Sequence, residues 1–349
     1  MTHHHFPLPA ARDPDAKELP ERLHFEGSRM MKPNGKEIVL RGPCFGSWGE
    51  DTPDDAAPVK AMAANSVRVN LKWWRPGDAD SRDDRGFAFL LRKNIEHWLS
   101  MIDAVIAQGM WVIPCVDSDC GQNGLQDAET VAYCDPYGMW PQGHNFFLDP
   151  SMRRTYAGIV WPTLATALRM RERIAMLELQ PEPAGGRGPE YAPLVQQLYR
   201  EIIAGIREVD QDTPFLIGAR NSYDIMLCDE AYLPERTDVA YTGNLLAQWV
   251  KNPEKFDKGL AALVAMRDAR NVPIYCQQLG RRSSDDRDCS LLRRAVQKAR
   301  EARMGYAYWE WKNHVKDNPD SYGLNYPTKD GAWIRKDAEC AALQEDWQA

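Results

Sequence analysis

Two short apolar runs of the chain end in side chains that can do chemistry, Leu177–Pro183 and Pro273–Gly280. The first run carries Glu178, Gln180 and Glu182 at alternate positions. Alternate residues of a β-strand point to the same face, so these three side chains are expected to share one side of a strand end. A carboxyl group there can donate or accept a proton, whereas Gln278 near the end of the second run can only hydrogen-bond. The two runs therefore predict a site in which one strand supplies a carboxyl group and the other supplies an amide.

The elements that must position these strand ends form a regular alternation of apolar strands and amphipathic helices. Apolar residues at helical spacing, for example from Ile95 to Ile106 ahead of Gly109, indicate the helices. Eight alternations predict one closed (β/α)8 TIM barrel. The rival fold is a doubly wound sheet, and the chain lacks the glycine-rich phosphate loop that is typical after the first strand of that fold. Loops that follow the strands of such a barrel build its functional face. The eight predicted strands are Ile38–Phe45, Val67–Leu71, Trp111–Val116, Ala175–Leu179, Phe215–Ile217, Val239–Tyr241, Ile274–Cys276 and Tyr306–Trp309.

The barrel is predicted to span residues 23–349, behind a polar, proline-rich N-terminal extension over residues 1–22. Asn34 and Gly35 are typical of a tight β-turn, so we expect an N-terminal hairpin that pairs Leu23–Gly27 with Glu37–Leu40. A long loop, Asp117–Asn145, follows the third strand. Its aromatic residues predict either one wall of a cleft or a small core of the loop's own.

Charge and composition exclude several classes of function. The chain of 349 residues has a net charge of −7 and a pI near 5.6, which argues against nucleic acid or an anionic membrane as a partner. It has no apolar run long enough to span a membrane, no zinc-type ligand spacing and no motif that implies a cofactor. The eight cysteines are scattered, and they are expected to be buried thiols rather than a disulfide set. The N-terminus has no apolar stretch typical of a secretion signal, so we expect a protein made in the cytoplasm and then released or built into a viral particle.

Several motifs occur in the order that is typical of one enzyme family. Leu177–Pro183 is similar to a fourth strand that ends in Asn-Glu-Pro, and Pro273–Gly280 is similar to a seventh strand that ends in Gly-Glu-Phe-Gly. Three further segments are similar to parts of this family. Asn34–Gly42 resembles its opening hairpin and first strand, Val67–Val69 resembles its second strand, and Tyr308–Lys312 resembles its eighth strand. The chain therefore resembles glycoside hydrolase family 5, the cellulase-like family of clan A, over most of its length.

This resemblance implies a retaining hydrolysis of β-linked sugars, in which two carboxyl groups act about 5 Å apart. Glu182 occupies the position of the family's acid/base, which protonates the leaving oxygen. Gln278 occupies the position of the nucleophile, and a neutral amide will not form the covalent glycosyl ester. Half of the catalytic pair is thus replaced. A natural loss or change of function, a relocated carboxylate and a laboratory substitution at Gln278 are the alternatives.

Other positions also depart from the family's pattern. Pro181 stands where the family has the asparagine that bonds the sugar 2-hydroxyl. Asp117 and Asp119 follow the third strand where the family has a histidine, and Asn244 lies where its sixth strand has a His-x-Tyr pair. Asp117, Asp119 and Asn244 are therefore candidates for contact with a sugar.

Four further residues at strand ends are expected to bind the substrate. Arg68 matches the arginine that keeps the family's nucleophile ionised, and a buried guanidinium needs a counter-charge. We expect Glu182 or Asp117 to supply that charge, which favours neutral sugars in the cleft. The other three offer flat apolar faces for a pyranose ring: Trp309 in the eighth strand, and Trp73 and Trp74 after the second.

Three functions remain open at this point. The first is a barrel that binds an oligo- or polysaccharide, with hydrolysis lost or strongly impaired. The second is an active glycosidase on a β-linked polysaccharide, with Glu182 as acid/base and a relocated carboxylate, or with an inverting mechanism that uses Asp117 or Asp119. The third is a structural barrel in a larger assembly such as a phage particle, with a protein as its partner. The positions of the carboxyl groups at the barrel mouth distinguish the second function from the other two.

Overall fold

The computed structural model describes residues 20, 22–46, 50–72, 92–117, 153–154, 156–183 and 188–349. Eight of its strands are parallel and close into a barrel in chain order, with the last strand hydrogen-bonded to the first. Each predicted strand overlaps one of them, which confirms the single (β/α)8 barrel. After an N-terminal hairpin of β1 (His24–Glu26) and β2 (Arg29–Met31), the barrel strands are β3 (Arg41–Phe45), β4 (Ser66–Lys72), β5 (Trp111–Asp117), β6 (Leu177–Glu178), β7 (Phe215–Gly218), β8 (Val239–Leu245), β9 (Ile274–Leu279) and β10 (Gly305–Tyr308).

Helices follow the strands and cover the outside of the barrel with their apolar faces. A second hairpin, β11 (Asn325–Pro327) with β12 (Trp333–Arg335), lies in the loop between the last barrel strand and the last helix. Within the described ranges, no helix is long and apolar enough to cross a membrane. The helices are α1 (Ala56–Ala61), α2 (Arg92–Ala107), α3 (Trp161–Leu168), α4 (Ala192–Arg207), α5 (Arg220–Tyr223), α6 (Ala247–Val250), α7 (Pro253–Arg270), α8 (Ser290–Glu301) and α9 (Asp337–Gln348), with a π-helical turn at Tyr156–Val160 and 3-10 turns at Pro53–Asp55, Pro189–Tyr191, Ile225–Ala231 and Ser283–Asp285.

Two apolar clusters lie on the two sides of the barrel wall. The outer cluster packs the helices against outward-facing strand residues such as Val67 and Val69. The inner cluster combines inward-facing residues such as Ile113 and Tyr275 with Leu23 of the N-terminal segment. Because the inner cluster is built largely on residues at the beginnings of strands, the N-terminal segment closes the barrel at that end. Polar inward-facing residues occupy the opposite end, which is the functional face of this fold.

The N-terminal hairpin forms, but its strands differ from the prediction. β1 pairs with β2 across a turn at Gly27, whose φ of +59° suits glycine. The expected pairing of Leu23–Gly27 with Glu37–Leu40 is therefore wrong, because Gly27 reverses the chain earlier. The predicted Asn-Gly turn also forms, and it joins β2 to a bridge between Met31 and Glu37.

The cysteines in the described ranges are buried and free, which confirms the expectation of buried thiols for these six. Burial raises the pKa of the Cys44 and Cys276 thiols to about 12, so both stay protonated at neutral pH and serve as packing groups. Cys120 and Cys134 lie outside the described residues. So do the predicted long loop from residue 118 onward and most of the predicted N-terminal extension.

Candidate functional site

The chain at the end of β6 is held in place by hydrogen bonds from buried aromatic side chains. Trp161 donates its Nε1–H to the carbonyl oxygen of Leu179 at 2.9 Å, and Tyr223 donates its hydroxyl to the carbonyl oxygen of Gln180 at 2.5 Å. Buried carbonyl groups need such partners, because β6 is only two residues long and its ladder ends before them. Glu182 follows with a φ of +48° and a partly buried side chain. A fixed backbone therefore carries the carboxyl group of Glu182 to the mouth of the barrel.

A β-bulge shapes the end of β9, where both glutamines lie. Cys276 and Leu279 both pack in the outer cluster, although three positions separate them. An advance of three residues along β9 is matched by two residues along β8 and by two along β10, so β9 contains one extra residue. The bulge turns both Gln277 and Gln278 toward the inside of the barrel. Gln277 is fully buried, and Gln278 is 8% exposed.

Asn244 joins the two strand ends through its side chain. Its Nδ2 donates to Oε1 of Glu182 at 2.6 Å, and its Oδ1 accepts a hydrogen bond from Nε2 of Gln277. Asn244 is also the residue of β8 that pairs with Gln278 in the barrel sheet. Contacts of one residue thus bring together three of the predicted site residues, Glu182, Asn244 and Gln278. The roles that the family resemblance implies for them stay predictions.

Gln277 was not among the predicted site residues, although it completes this chain of hydrogen bonds. The available signal was the pair of adjacent glutamines at the end of an apolar strand. Regular alternation would turn one of the two outward, where its amide would be unsatisfied in the apolar layer under the helices. A glutamine pair in such a place therefore indicates a bulge.

Arg68 forms a fully buried ion pair inside the barrel. Its Nε and Nη2 donate to the two carboxylate oxygens of Glu178 at 2.5 and 3.0 Å. Its Nη1 and Nη2 also donate to the sulfur atoms of Cys44 and Cys115, each at 3.2 Å. Both carboxylate oxygens of Glu178 are thus bound to the guanidinium, which carries no net charge to the mouth.

The partner of Arg68 differs from the expectation. Glu182 was expected to neutralise it, and this is wrong, because Glu178 itself faces the barrel interior within reach of the guanidinium. Glu182 lies beyond the end of β6 and is bound by Asn244 instead. The other proposed partner, Asp117, ends β5, and its side chain lies outside the described residues. The remaining predicted site residues outside the described ranges are Trp73, Trp74 and Asp119.

Amides and one tryptophan line the inward side of the mouth. Trp309 is partly buried and packs on the inner cluster. Its backbone N–H donates to the carbonyl oxygen of Leu279 at 2.9 Å, and a Cβ added to Gly280 would lie only 2.6 Å from the Trp309 carbonyl oxygen. This close backbone contact fixes Trp309 beside the bulged strand. The inward-facing amides of the described residues are Asn70, Gln180, Asn244, Gln277 and Gln278.

The sequence of this barrel matches a known family over most of its length. The family model described as Cellulase (glycosyl hydrolase family 5) matches residues 31–315. The chain belongs to glycosyl hydrolase family 5. The resemblance seen in the sequence motifs is thereby confirmed. A sequence search of the curated proteins finds no match.

Several solved structures are similar to this family 5 barrel. One is an endogalactoceramidase, with a TM-score of 0.73 and 15% identity over 93% of this chain and 85% of that chain. Another is the endo-glycoceramidase II from Rhodococcus sp. in a cellobiose-like imidazole complex, with a TM-score of 0.69 and 18% identity over 91% and 80%. A third is the catalytic domain of a Thermobifida fusca endoglucanase, a glutamate-to-glutamine variant in complex with cellotetraose, with a TM-score of 0.62 and 15% identity over 94% and 97%. At these identities the likeness shows the fold.

This family 5 barrel also buries a pair of carboxyl groups near the ends of its first and last strands. Asp51 accepts a hydrogen bond from the backbone N–H of Gly46 at 2.5 Å, and Glu310 accepts one from Nδ2 of Asn313 at 2.8 Å. Oδ1 of Asp51 and Oε2 of Glu310 have no hydrogen-bond partner among the described residues. A Cβ added to Gly46 would lie 2.5 Å from Oε2 of Glu310 and 3.6 Å from Oδ2 of Asp51, so both groups crowd the same stretch of backbone.

The protonation of this carboxyl pair follows from its burial. Burial raises the pKa of Glu310 to about 8. The pKa of Asp51 is also raised well above its ordinary value, first by burial and then by its neighbours Asp55 and Glu310. Glu310 is therefore largely protonated at neutral pH, and burial favours the neutral form of Asp51 as well. In the part of the chain that the structure describes, no group of three or more His, Cys, Asp or Glu side chains is placed to hold a metal ion.

We expect Glu178→Gln to destabilise the fold strongly, because it leaves the buried guanidinium of Arg68 without a counter-charge. Loss of one partner of a buried ion pair costs about 3–5 kcal/mol, which is measured as the free energy of unfolding in urea. The control is the double variant Arg68→Met with Glu178→Leu, which removes both charges and should recover most of the loss. An unchanged free energy of unfolding for Glu178→Gln would contradict a structural role of the pair.

We also expect stability to depend on pH through Glu310. Its pKa in the folded protein, about 8, lies above the ordinary 4.5, so the folded state keeps a proton that the unfolded state releases. The stabilising contribution is complete below the ordinary pKa and is lost progressively as the pH rises to about 8. The measurement is the urea midpoint of the wild type and of Glu310→Gln at a series of pH values across this window. The variant should gain stability relative to the wild type as the pH rises, and a constant difference would contradict the prediction.

Proposed function

We propose that this family 5 barrel binds a neutral oligo- or polysaccharide at its mouth and that it has lost hydrolysis. The observation that carries the proposal is the end of β9, where Gln278, which matches the family's nucleophile in the sequence motif, lies beside Gln277 with both side chains inward. An amide forms hydrogen bonds with sugar hydroxyls as donor and as acceptor. It does not form a glycosyl ester.

The described carboxyl groups near the mouth support the loss of hydrolysis. A retaining enzyme needs a second carboxylate about 5 Å from the acid, with access to the anomeric carbon. Glu178 is fully buried with both oxygens on Arg68. Asp51 and Glu310 are buried, and burial raises the pKa of both carboxyl groups. None of these three groups is an exposed, ionised nucleophile.

The lining of the mouth supports a neutral sugar as the ligand. Arg68 is neutralised within the barrel, so it offers no charge to an anionic sugar. The inward amides can bind hydroxyl groups, and Trp309 is partly exposed beside them. Ligand sites of this kind combine an aromatic face with a few placed polar groups. The solved relatives named above with sugar-like ligands, one of them a glutamate-to-glutamine variant with cellotetraose, are consistent with binding in such a barrel.

The test is calorimetric titration of the full chain with cello-, manno-, xylo- and laminari-oligosaccharides, while reducing ends are followed in parallel. At least one of these saccharides should bind, and none should be cleaved. Trp309→Ala should weaken that binding about tenfold, because it removes the aromatic face. Trp333→Ala is the matched control, since Trp333 is 40% exposed on the β11–β12 hairpin and packs against Lys312. Equal losses for the two variants, or turnover that Glu182→Gln abolishes, would contradict the proposal.

Whether the loss of hydrolysis rests on Gln278 alone is tested by restoring a glutamate at this position. We expect Gln278→Glu to leave hydrolysis of these saccharides undetectable, because Arg68 is already bound by Glu178 and no longer stabilises a second carboxylate. The departure at Pro181 also remains. Gln278→Met is the control for a neutral change at the same position. Clear turnover by Gln278→Glu would mean that the loss rests on this residue alone.

A further inference from the structure

We propose that Gln277 is a positioning residue, which acts through Asn244 to hold Glu182 as an ionised hydrogen-bond acceptor. The inference deepens the proposed function, because it concerns the same mouth and the same acid/base position. It assigns Glu182 the task of accepting hydrogen bonds from sugar hydroxyls. A carboxylate kept in that state does not protonate a glycosidic oxygen.

The first step is the fixed position of Gln277. Its side chain is fully buried, and its backbone N–H donates to Oγ1 of Thr242 at 3.0 Å. The bulge in β9 points the side chain inward beside β8. From there its Nε2 reaches Oδ1 of Asn244. Hydrogen bonds of its backbone and of its side chain to β8 therefore fix the position of Gln277.

The second step is the direction of the hydrogen bonds. An ionised carboxylate only accepts, so the group of Asn244 that meets Oε1 of Glu182 must be its Nδ2, as observed at 2.6 Å. The Oδ1 of Asn244 must then face Gln277, and only the Nε2 of Gln277 can meet it. The opposite direction requires a protonated Glu182. The two amides and the carboxyl group thus form one directed chain, in which the N–H donor that meets Glu182 favours its ionised form.

The third step concerns the acceptor atom that this direction leaves without a hydrogen bond. Oε1 of Gln277 is buried and has no hydrogen-bond partner among the described residues. Reversal of the chain would let Asn244 donate to this oxygen. A hydrogen bond to a charged group is stronger than one between neutral groups, so the bond to ionised Glu182 favours the observed direction over the reversed one. Gln277 therefore influences the ionisation of Glu182 without touching it.

The test is a carbon-13 NMR titration of the full chain labelled at the glutamate side-chain carboxyl carbon, with the Glu182 signal assigned by Glu182→Gln. Gln277→Met keeps the size of the side chain but removes the donor that orients Asn244. We expect the titration midpoint of Glu182 to rise by about one pH unit, a tenfold change in its ionisation equilibrium. Gln278→Met, a neighbouring glutamine without a side-chain bond to Asn244 among those described, should leave the midpoint unchanged.

Gln277→Asn provides a second variant if Gln277→Met does not fold, because it keeps the amide and only shortens its reach. It should raise the midpoint in the same direction. An unchanged midpoint in the folded variant, or an equal rise in Gln278→Met, would overturn the proposal. The titration needs no ligand, so its failure leaves saccharide binding intact. Conversely, an absence of saccharide binding does not affect the titration.

Discussion

The ion pair of Arg68 and Glu178 is the interaction on which the rest of the barrel interior depends. Two charges in a dry interior are tolerated only when they satisfy each other, and here both carboxylate oxygens are bound by the guanidinium. A third charged side chain beside them would have no group of opposite charge with which to pair. The neutral residues in the next layer toward the mouth, Gln180 and Gln277, fit this condition, because amides can fill a polar interior without adding charge.

The barrel axis thus passes through layers of increasing polarity. Apolar side chains that include Leu23 close the end where the strands begin. The buried ion pair follows, then the amides, and finally Glu182 and Trp309 at the partly exposed mouth. Each polar layer depends on the layer beneath it, because a polar group is buried at low cost only when its hydrogen-bond partner is already in place. Among the described residues, the mouth therefore offers amides, the carboxyl group of Glu182 and the ring of Trp309.

Apolar periodicity was enough to predict the barrel, because eight strands that alternate with amphipathic helices have few other ways to bury their faces. The hairpin partner was misjudged because Gly27 and the later Asn-Gly pair are both good turns, and sequence does not rank them. The partner of Arg68 was missed for a different reason. Alternation indicates that Glu178 and Glu182 face the same side, but it does not give their distances from a residue two strands away. Gln277 was missed because a bulge breaks the alternation of side chains between the two faces of a strand, and no single residue type identifies a bulge in a sequence.

The bulge in β9 has a consequence for how this site can change by mutation. It presents two adjacent residues, Gln277 and Gln278, to one cavity, whereas a regular strand presents one. A substitution at either position therefore places its new side chain in the same space without a change of the backbone. A screen for new activity at this mouth can therefore vary two adjacent positions rather than one.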